Sequence, residues 1–435
     1  MRPIHGNTLS RRDDDASMTT RRRLLFLSPI IPAQRGNGLA MRTCFFLEAY
    51  ARHFDVDLAV FPIIAAPEKV TDFVRARVTR LEVFSRPQAD AHFSLIAAII
   101  DQETRLSAFL QYERPSLASR AGHSAWQMLK EWVRTERYDL VHVERLYLAP
   151  VVERWASLPP TSRPRLAIDC DDDDATAYRR LAAIERSQNR AEAAAWAEAE
   201  ASAFGIMARR MLGRFDMVFA ASSTAAASLS VHGTAVAVVP NVAPAGDGPR
   251  RPIKRAGRKT ILFVGTMGYP PNDDAARWFL TRVWPRFRRL FRMPVRLIIV
   301  GGDPSPRLIR LAQRPDVVVT GTVVETAPFY RIADLAVIPV RAGSGTRIKL
   351  LEAAAHGVPV VSTTVGAEGT TFRHGRELLL ADSEERFARA CADLLRDRSR
   401  ALGLARQARA RTALDYDAGC WSRRVGDLVA QVFVN

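Results

Sequence analysis

From Leu24 onward, short apolar runs alternate with longer segments whose apolar residues recur every three to four positions. Runs of this kind bounded by turn residues predict strands buried on both faces, and the periodic segments between them predict covering helices. Leu24 to Ser28, Val56 to Phe61, Leu140 to Val143, Leu166 to Asp169, Met217 to Ala220 and Val236 to Val239 form a first series of predicted strands. Helices are predicted between them, among them Leu39 to His53 and the alanine-rich Glu192 to Leu212. Val242 to Lys259 is rich in Pro, Gly and Arg without periodicity, which predicts a linker. A second series of strands follows at Thr260 to Gly265, Val295 to Val300, Val317 to Thr320, Leu335 to Pro339 and Val358 to Ser362. Phe387 to Ala413 reads as a helical end, and Tyr416 to Val432 as a final amphipathic helix.

This alternation predicts an α/β chain of two Rossmann-like domains. The expected boundaries are a disordered segment over 1–20, a first domain over 21–242, a linker over 243–259, a second domain over 260–415 and a terminal helix over 416–435. A length of 435 residues agrees, because single cores stop growing well below that size.

The formal charge of +17 raises the question of nucleic acid. Only five of the 63 basic residues are lysines, the arginines are scattered along the whole chain, and no nucleic-acid-binding motif accompanies them. The charge therefore points away from nucleic acid and toward peripheral contact with an anionic membrane surface. Apolar helices around Phe93 to Ile100 suit such docking. Cys44, Cys170, Cys391 and Cys420 lack metal-type spacing, and a reducing cytoplasm is expected. Arg21 to Pro32 is too short an apolar stretch for a secretory signal and is broken by Pro29.

The most informative chemistry lies in Arg341 to Ser362, RAGSGTRIKLLEAAAHGVPVVS. Gly343 and Gly345 permit positive φ and close backbone approach. Ser344 or Thr346 is expected to cap a helix carrying Ile348, Leu351 and Ala355, with Gly357 just past its end. Arg347 and Lys349 then fall in the first turn, where a cation is unfavourable by roughly 0.3–1 kcal/mol unless an anion joins it. Two cations converging on a helix N-terminus describe an anion receptor, most simply for a diphosphate. Lys349 and Glu352 also stand at i and i+3, the spacing of a plain surface ion pair.

With its two halves, the Pro240-Asn241 pair before the linker, Phe263-Val264-Gly265, Trp278-Phe279, Ile338-Pro339 and the Gly343 to Gly369 segment, the chain resembles the GT-B glycosyltransferases, specifically family 4. The resemblance covers nearly everything from Leu24. It implies two domains facing each other across a cleft, a donor site in the second, an acceptor site in the first, and a last helix crossing back to the first. It further implies a retaining transfer from a nucleoside-diphosphate sugar to an acceptor hydroxyl on a carbohydrate or lipid-linked acceptor, with surface polysaccharide or glycolipid as product. The location implied is the cytoplasm or the inner face of the membrane. No cofactor or metal is expected, although the Asp169 to Asp174 run, DCDDDD, leaves a divalent cation open.

Carried onto this sequence, Glu352 matches the second glutamate of the family's paired motif, which holds the donor ribose hydroxyls. Ser344 stands in place of the first. The family's Arg and Lys after the first donor-domain strand are missing from Gly265 to Tyr269, and Arg347 and Lys349 are the expected substitutes. Gly343, Gly345, Thr346 and Gly265 join the expected donor site, as do Gly36 and Gly38, which resemble the family's glycine loop ahead of Arg42. Glu144 falls where relatives often place a catalytic histidine, with His142 on the same strand face, and Asp171 falls near another family histidine. Trp278 and Phe279 read as packing aromatics. Two rival readings share these features: a nucleotide-sugar epimerase of the same fold, and a non-catalytic nucleotide-sugar-binding scaffold.

Overall fold

A computed structural model describes residues 21–63, 69–230, 234–243 and 257–433. The expected disordered segment over 1–20 and most of the expected linker lie outside them. Two wholly parallel sheets form the framework. The first contains β1 (Arg22–Ser28), β2 (Phe54–Val60), β3 (Arg80–Val83), β4 (Leu140–Glu144), β5 (Arg165–Asp171), β6 (Met217–Ala220) and β7 (Val236–Val238), in the order β3-β2-β1-β4-β5-β6-β7. The second contains β8 (Lys259–Val264), β9 (Val295–Val300), β10 (Val317–Val319), β11 (Leu335–Ile338), β12 (Val360–Ser362) and β13 (Leu379–Leu380), in the order β10-β9-β8-β11-β12-β13.

The reason for parallel sheets is visible in β1, whose Leu24, Leu25, Phe26 and Leu27 are all fully buried. Alternate residues point to opposite faces, so both faces need cover and the crossovers supply helices. Leu25 and Leu27 join one apolar cluster with Trp132 and Phe204, while Leu24 and Phe26 join the other with Phe46 and Phe219. In the second domain a continuous cluster includes Ile298, Phe287, Val361 and Phe387, and it takes in Trp278 and Phe279 as packing residues. The edge strands β3 and β13 were not expected, because their half-buried sequences lack the continuous apolar run that marks the central strands.

Two features position the site. In each sheet the strand order reverses, between β1 and β4 in the first and between β8 and β11 in the second, the point at which open parallel sheets present a ligand crevice outside their carboxyl ends. The Ala418–Gln431 helix places Val425 and Val429 in the first domain's core, and Arg22 stacks on Phe433 at 4.1 Å. Burying two valines contributes about 3 kcal/mol or more, enough to hold a terminal helix on the domain it returns to.

Candidate functional site

The loop between β11 and the Ile348–Ala355 helix is pressed into the first domain. Gly343 and Gly345 take φ of 107° and 81°, which a side chain would strain. Neither Ser344 nor Thr346 caps the helix, contrary to expectation. The Ser344 hydroxyl donates to the Asp173 carbonyl at 2.9 Å, and the Thr346 hydroxyl donates to the Ala221 carbonyl at 2.8 Å. Those carbonyls of the first domain compete for the hydroxyls, and Arg347 itself takes the N-cap position without a side-chain cap bond. The helix therefore begins with a guanidinium beside uncapped N–H groups. Arg347 Nη1 donates to the Ser344 carbonyl at 2.9 Å, while its buried Nε and Nη2 have no hydrogen-bond partner.

Lys349 supplies the second cation from an unexpected direction. Its ammonium reaches the loop after β8, where a β-carbon on Gly265 would stand 2.8 Å from Nζ. Nζ donates to Asn272 Oδ1 at 2.5 Å, and Asn272 in turn donates to the Thr266 carbonyl at 2.9 Å. Burial and the neighbouring Arg347 lower the Lys349 pKa to about 7. The basic group missing from Gly265 to Tyr269 is thus replaced in space by one arriving from the adjacent helix.

One turn further on, Glu352 is buried inside the second domain. Thr326 Oγ1 donates to Oε1 at 3.2 Å and the Tyr330 hydroxyl donates to Oε2 at 3.1 Å. Burial raises its pKa to about 7, and the two hydroxyls and Lys349 hold it below a still higher value. Each carboxylate oxygen keeps acceptor capacity beyond the single bond it receives.

The first domain contributes a lattice of carboxylates and guanidiniums. Arg42 is fully buried and grips Asp169 with two nitrogens, while its Nη1 donates to the Val239 carbonyl at 2.9 Å. Asp171, held in the left-handed region at φ 58° by a bulge in β5, accepts from Arg145 Nη1 at 3.0 Å and from Asn241 Nδ2 at 3.2 Å. Asn241 also donates to the Thr346 carbonyl at 3.2 Å, linking Asp171 to the second domain's loop. Asp174 accepts from Arg145 at 2.7 Å, and Asp172 lies 3.7 Å from Arg347 Nη1. Arg180 bonds both oxygens of Glu368 and the Gly343 carbonyl across the crevice.

Glu144 and His142 do not reach this crevice. His142 sits among Phe26, Phe46, Tyr50 and Phe219, with the Tyr50 hydroxyl 2.9 Å from Nδ1, and burial lowers its pKa to about 3. It is a core histidine. Glu144 is fully buried beside Asp169, its partner across the β4–β5 ladder, and neither of its oxygens is hydrogen-bonded. Desolvation first, then the Asp169 charge, raises its pKa well above the ordinary value. Gly36 takes φ 97° in open space, whereas Gly38 faces the second domain, its would-be β-carbon 3.3 Å from Ile348 Cδ1.

The fold thus gathers Gly265, Gly343, Ser344, Gly345, Thr346, Arg347, Lys349, Glu352, Gly38 and Asp171 around one crevice, and leaves Glu144 beneath it. Asn272, Asp172, Arg145, Thr326, Tyr330 and Arg180 also belong there and were not foreseen. Only Asp172 carried a sequence signal, as part of the aspartate run. Among the described residues no group of three or more His, Cys, Asp or Glu side chains is arranged for a metal ion, and no helix is long and apolar enough to cross a membrane.

Residues 258–397 match the family model described as glycosyl transferases group 1. An uncharacterised 44.6 kDa protein of the cps region of Klebsiella pneumoniae is 27% identical over 138 residues, 30% of this chain and 35% of that protein. The GDP-mannose-dependent alpha-(1-6)-phosphatidylinositol monomannoside mannosyltransferase of Mycobacterium tuberculosis is 36% identical over 123 residues, 25% of this chain and 32% of that enzyme. The chain thus matches about a third of the length of these curated relatives. Among solved structures, sucrose-phosphate synthase of Thermosynechococcus elongatus superposes with a TM-score of 0.63 at 16% identity, covering 95% of this chain and all of that one. At that identity the likeness speaks for the fold alone.

Proposed function

We propose that this chain, which carries the GT-B fold and over residues 258–397 a group 1 glycosyl transferase domain, moves a sugar from a nucleoside-diphosphate sugar to an acceptor hydroxyl. The observation that carries the reading is the meeting of Arg347, Lys349 and an uncapped helix start around the Gly343 to Gly345 turn, with Glu352 one turn behind. The two cations face the diphosphate, and Glu352 accepts hydrogen bonds from the ribose diol. That the mycobacterial relative is a GDP-mannose-dependent enzyme supports a donor of this class.

The chemistry follows from charge. As the bond between the anomeric carbon and the β-phosphate oxygen breaks, negative charge grows on that phosphate, and preformed donors aimed at it stabilise the transition state. Arg347 has two buried N–H directions unspent, and a phosphate beside Lys349 favours its ammonium form. The acceptor oxygen bonds to the anomeric carbon, its proton passes to the departing diphosphate, and the configuration is retained. Asp171 stands on the acceptor side, and Gly36 and Gly38 open the first domain's loop toward the donor. Glu144 lies buried beside Arg42 and Asp169, with burial and the Asp169 charge opposing its ionised form, and touches no substrate. Neither a cofactor nor a metal ion is part of this reading.

The acceptor is a carbohydrate or a lipid-linked sugar on the way to surface polysaccharide or glycolipid, reached from the cytoplasmic face. The cps-region relative and the phosphatidylinositol-mannoside enzyme support that class, as does the exposed apolar character of the Ala91–Ala98 helix, where Leu95 is 71% exposed. The test is incubation of purified protein with a panel of sugar nucleotides and acceptor extracts. Acceptor-dependent release of nucleoside diphosphate, with the donor's anomeric configuration kept in the product by NMR, supports the reading. A rearranged sugar nucleotide without acceptor would make the protein an epimerase, and binding without turnover would make it a scaffold.

A further inference from the structure

The Asp172 carboxylate enters the cradle from the opposite domain. Its Oδ1 occupies the place of a side chain on Gly345, since a β-carbon built there would lie 1.4 Å from it. Its Oδ2 is 3.7 Å from Arg347 Nη1. The loop that delivers it is tightly set: the Asp172 N–H donates to the Cys170 carbonyl at 2.7 Å, and the Asp173 carbonyl receives Ser344. Arg347 keeps two buried nitrogens unpaired even with Asp172 beside it, so the carboxylate answers only part of what the guanidinium can bind.

From this geometry we infer that Asp172 is a resident occupant of the phosphate cradle, and that it sets donor affinity by competing with the diphosphate for the Gly345 turn beside Arg347. The inference rests on the functional reading above. Asp172 stands against Nη1 and the Gly345 turn, while the unpaired Nε and Nη2 are open to a second anion on the same guanidinium. Burial and then the Asp171 charge already push the Asp172 pKa well above its ordinary value, and a phosphate in the same poorly solvated turn opposes its ionised form further. Donor entry therefore displaces Asp172, and because Asp172 and Arg347 belong to different domains, the exchange breaks one of the contacts that join them. Gly345 is needed for the same reason, as any side chain there would fill the space that the carboxylate and then the phosphate use. Arg180, bonded to Glu368 and the Gly343 carbonyl, remains to hold the turn in place during the exchange.

The experiment is calorimetric titration of the full-length wild type, Asp172→Ala and Arg347→Gln with UDP, GDP, ADP and dTDP, alongside the matching nucleosides. Asp172→Ala is expected to bind the preferred nucleoside diphosphate about tenfold tighter than wild type, the scale of one competing polar contact removed. Its affinity for the nucleoside is expected to stay unchanged. Equal or weaker diphosphate binding by Asp172→Ala, while Arg347→Gln still loses affinity, overturns the role of Asp172 and spares the donor site. If no diphosphate binds wild type and Arg347→Gln changes nothing, the donor-site reading itself fails. Circular dichroism and thermal melting of each variant separate these outcomes from misfolding.

Discussion

Lys349 and Asn272 meet 2.5 Å apart across the loop that follows β8, so an ammonium from one helix stands where no basic residue exists in the loop's own sequence. The arrangement is costly without an anion, because burial and Arg347 both oppose the charged form. Lys349→Met is expected to lower turnover by about two orders of magnitude or more, the usual scale for losing one group that stabilises developing charge. Steady-state kinetics check this, and a variant with near-normal kcat would remove Lys349 from the mechanism.

The depressed pKa of Lys349 gives a pH signature. The folded protein releases this proton near pH 7, whereas an unfolded chain holds it until about 10.5. Between those values the unfolded state binds more protons, so this group's destabilising contribution fades as pH rises. Binding a diphosphate favours the ammonium, which requires proton uptake at pH 8. Diphosphate affinity is expected to fall as pH goes from 7.5 to 9, with calorimetric heats that depend on buffer ionisation. Lys349→Met should abolish both effects.

Glu352→Ala removes the acceptor of the half-buried Thr326 hydroxyl and leaves the buried Tyr330 hydroxyl only the Lys349 carbonyl, and is expected to cost about 1–3 kcal/mol of stability, read by urea unfolding. Glu352→Gln retains the shape. It should weaken binding of a ribonucleoside diphosphate by about tenfold and of its 2′-deoxy analogue by less, because the carboxylate's second partner is the diol.

Gly345→Ala faces two separate penalties, a φ of 81° and an overlap with Asp172 Oδ1. Stability is expected to drop by about 1–3 kcal/mol. Adding Asp172→Ala relieves only the overlap, so the double variant should recover part of the loss, a non-additivity that thermal unfolding can measure.

Arg42 is a different kind of cation. It is sealed between Asp169, Asp171 and the Val239 carbonyl, and removing it would strand buried carboxylates. Arg42→Met is expected to cost about 3–5 kcal/mol, with unfolding rather than catalysis as the first symptom.

Much of this was legible in the sequence because strand and helix periods are local. Leu24 to Leu27 and Leu297 to Val300 announced central strands by continuous apolar character, and the Arg347-Lys349-Glu352 spacing announced a charged helix start. What escaped depends on contacts distant in the chain. Ser344 and Thr346 looked like caps until the Asp173 and Ala221 carbonyls of the other domain claimed them. Glu144 looked like a cleft residue because strand alternation gives a face but not a depth, and Asp169 with Arg42 closes over it. Asn272 gave no signal, since an asparagine in the first turn of a helix is ordinary until a lysine arrives from elsewhere. The extension of β5 through a bulge to Asp171 likewise depends on its pairing with β6.

The central claim, that the start of the Ile348–Ala355 helix is a diphosphate cradle, is tested most directly by calorimetric titration of wild type and of the Arg347→Gln, Lys349→Met double variant with the four nucleoside diphosphates. The account predicts saturable binding of one of them by wild type and a loss of about a hundredfold or more in the double variant, roughly two charge-assisted bonds, with a melting temperature no lower than that of wild type. Equal affinity in the two proteins would contradict it.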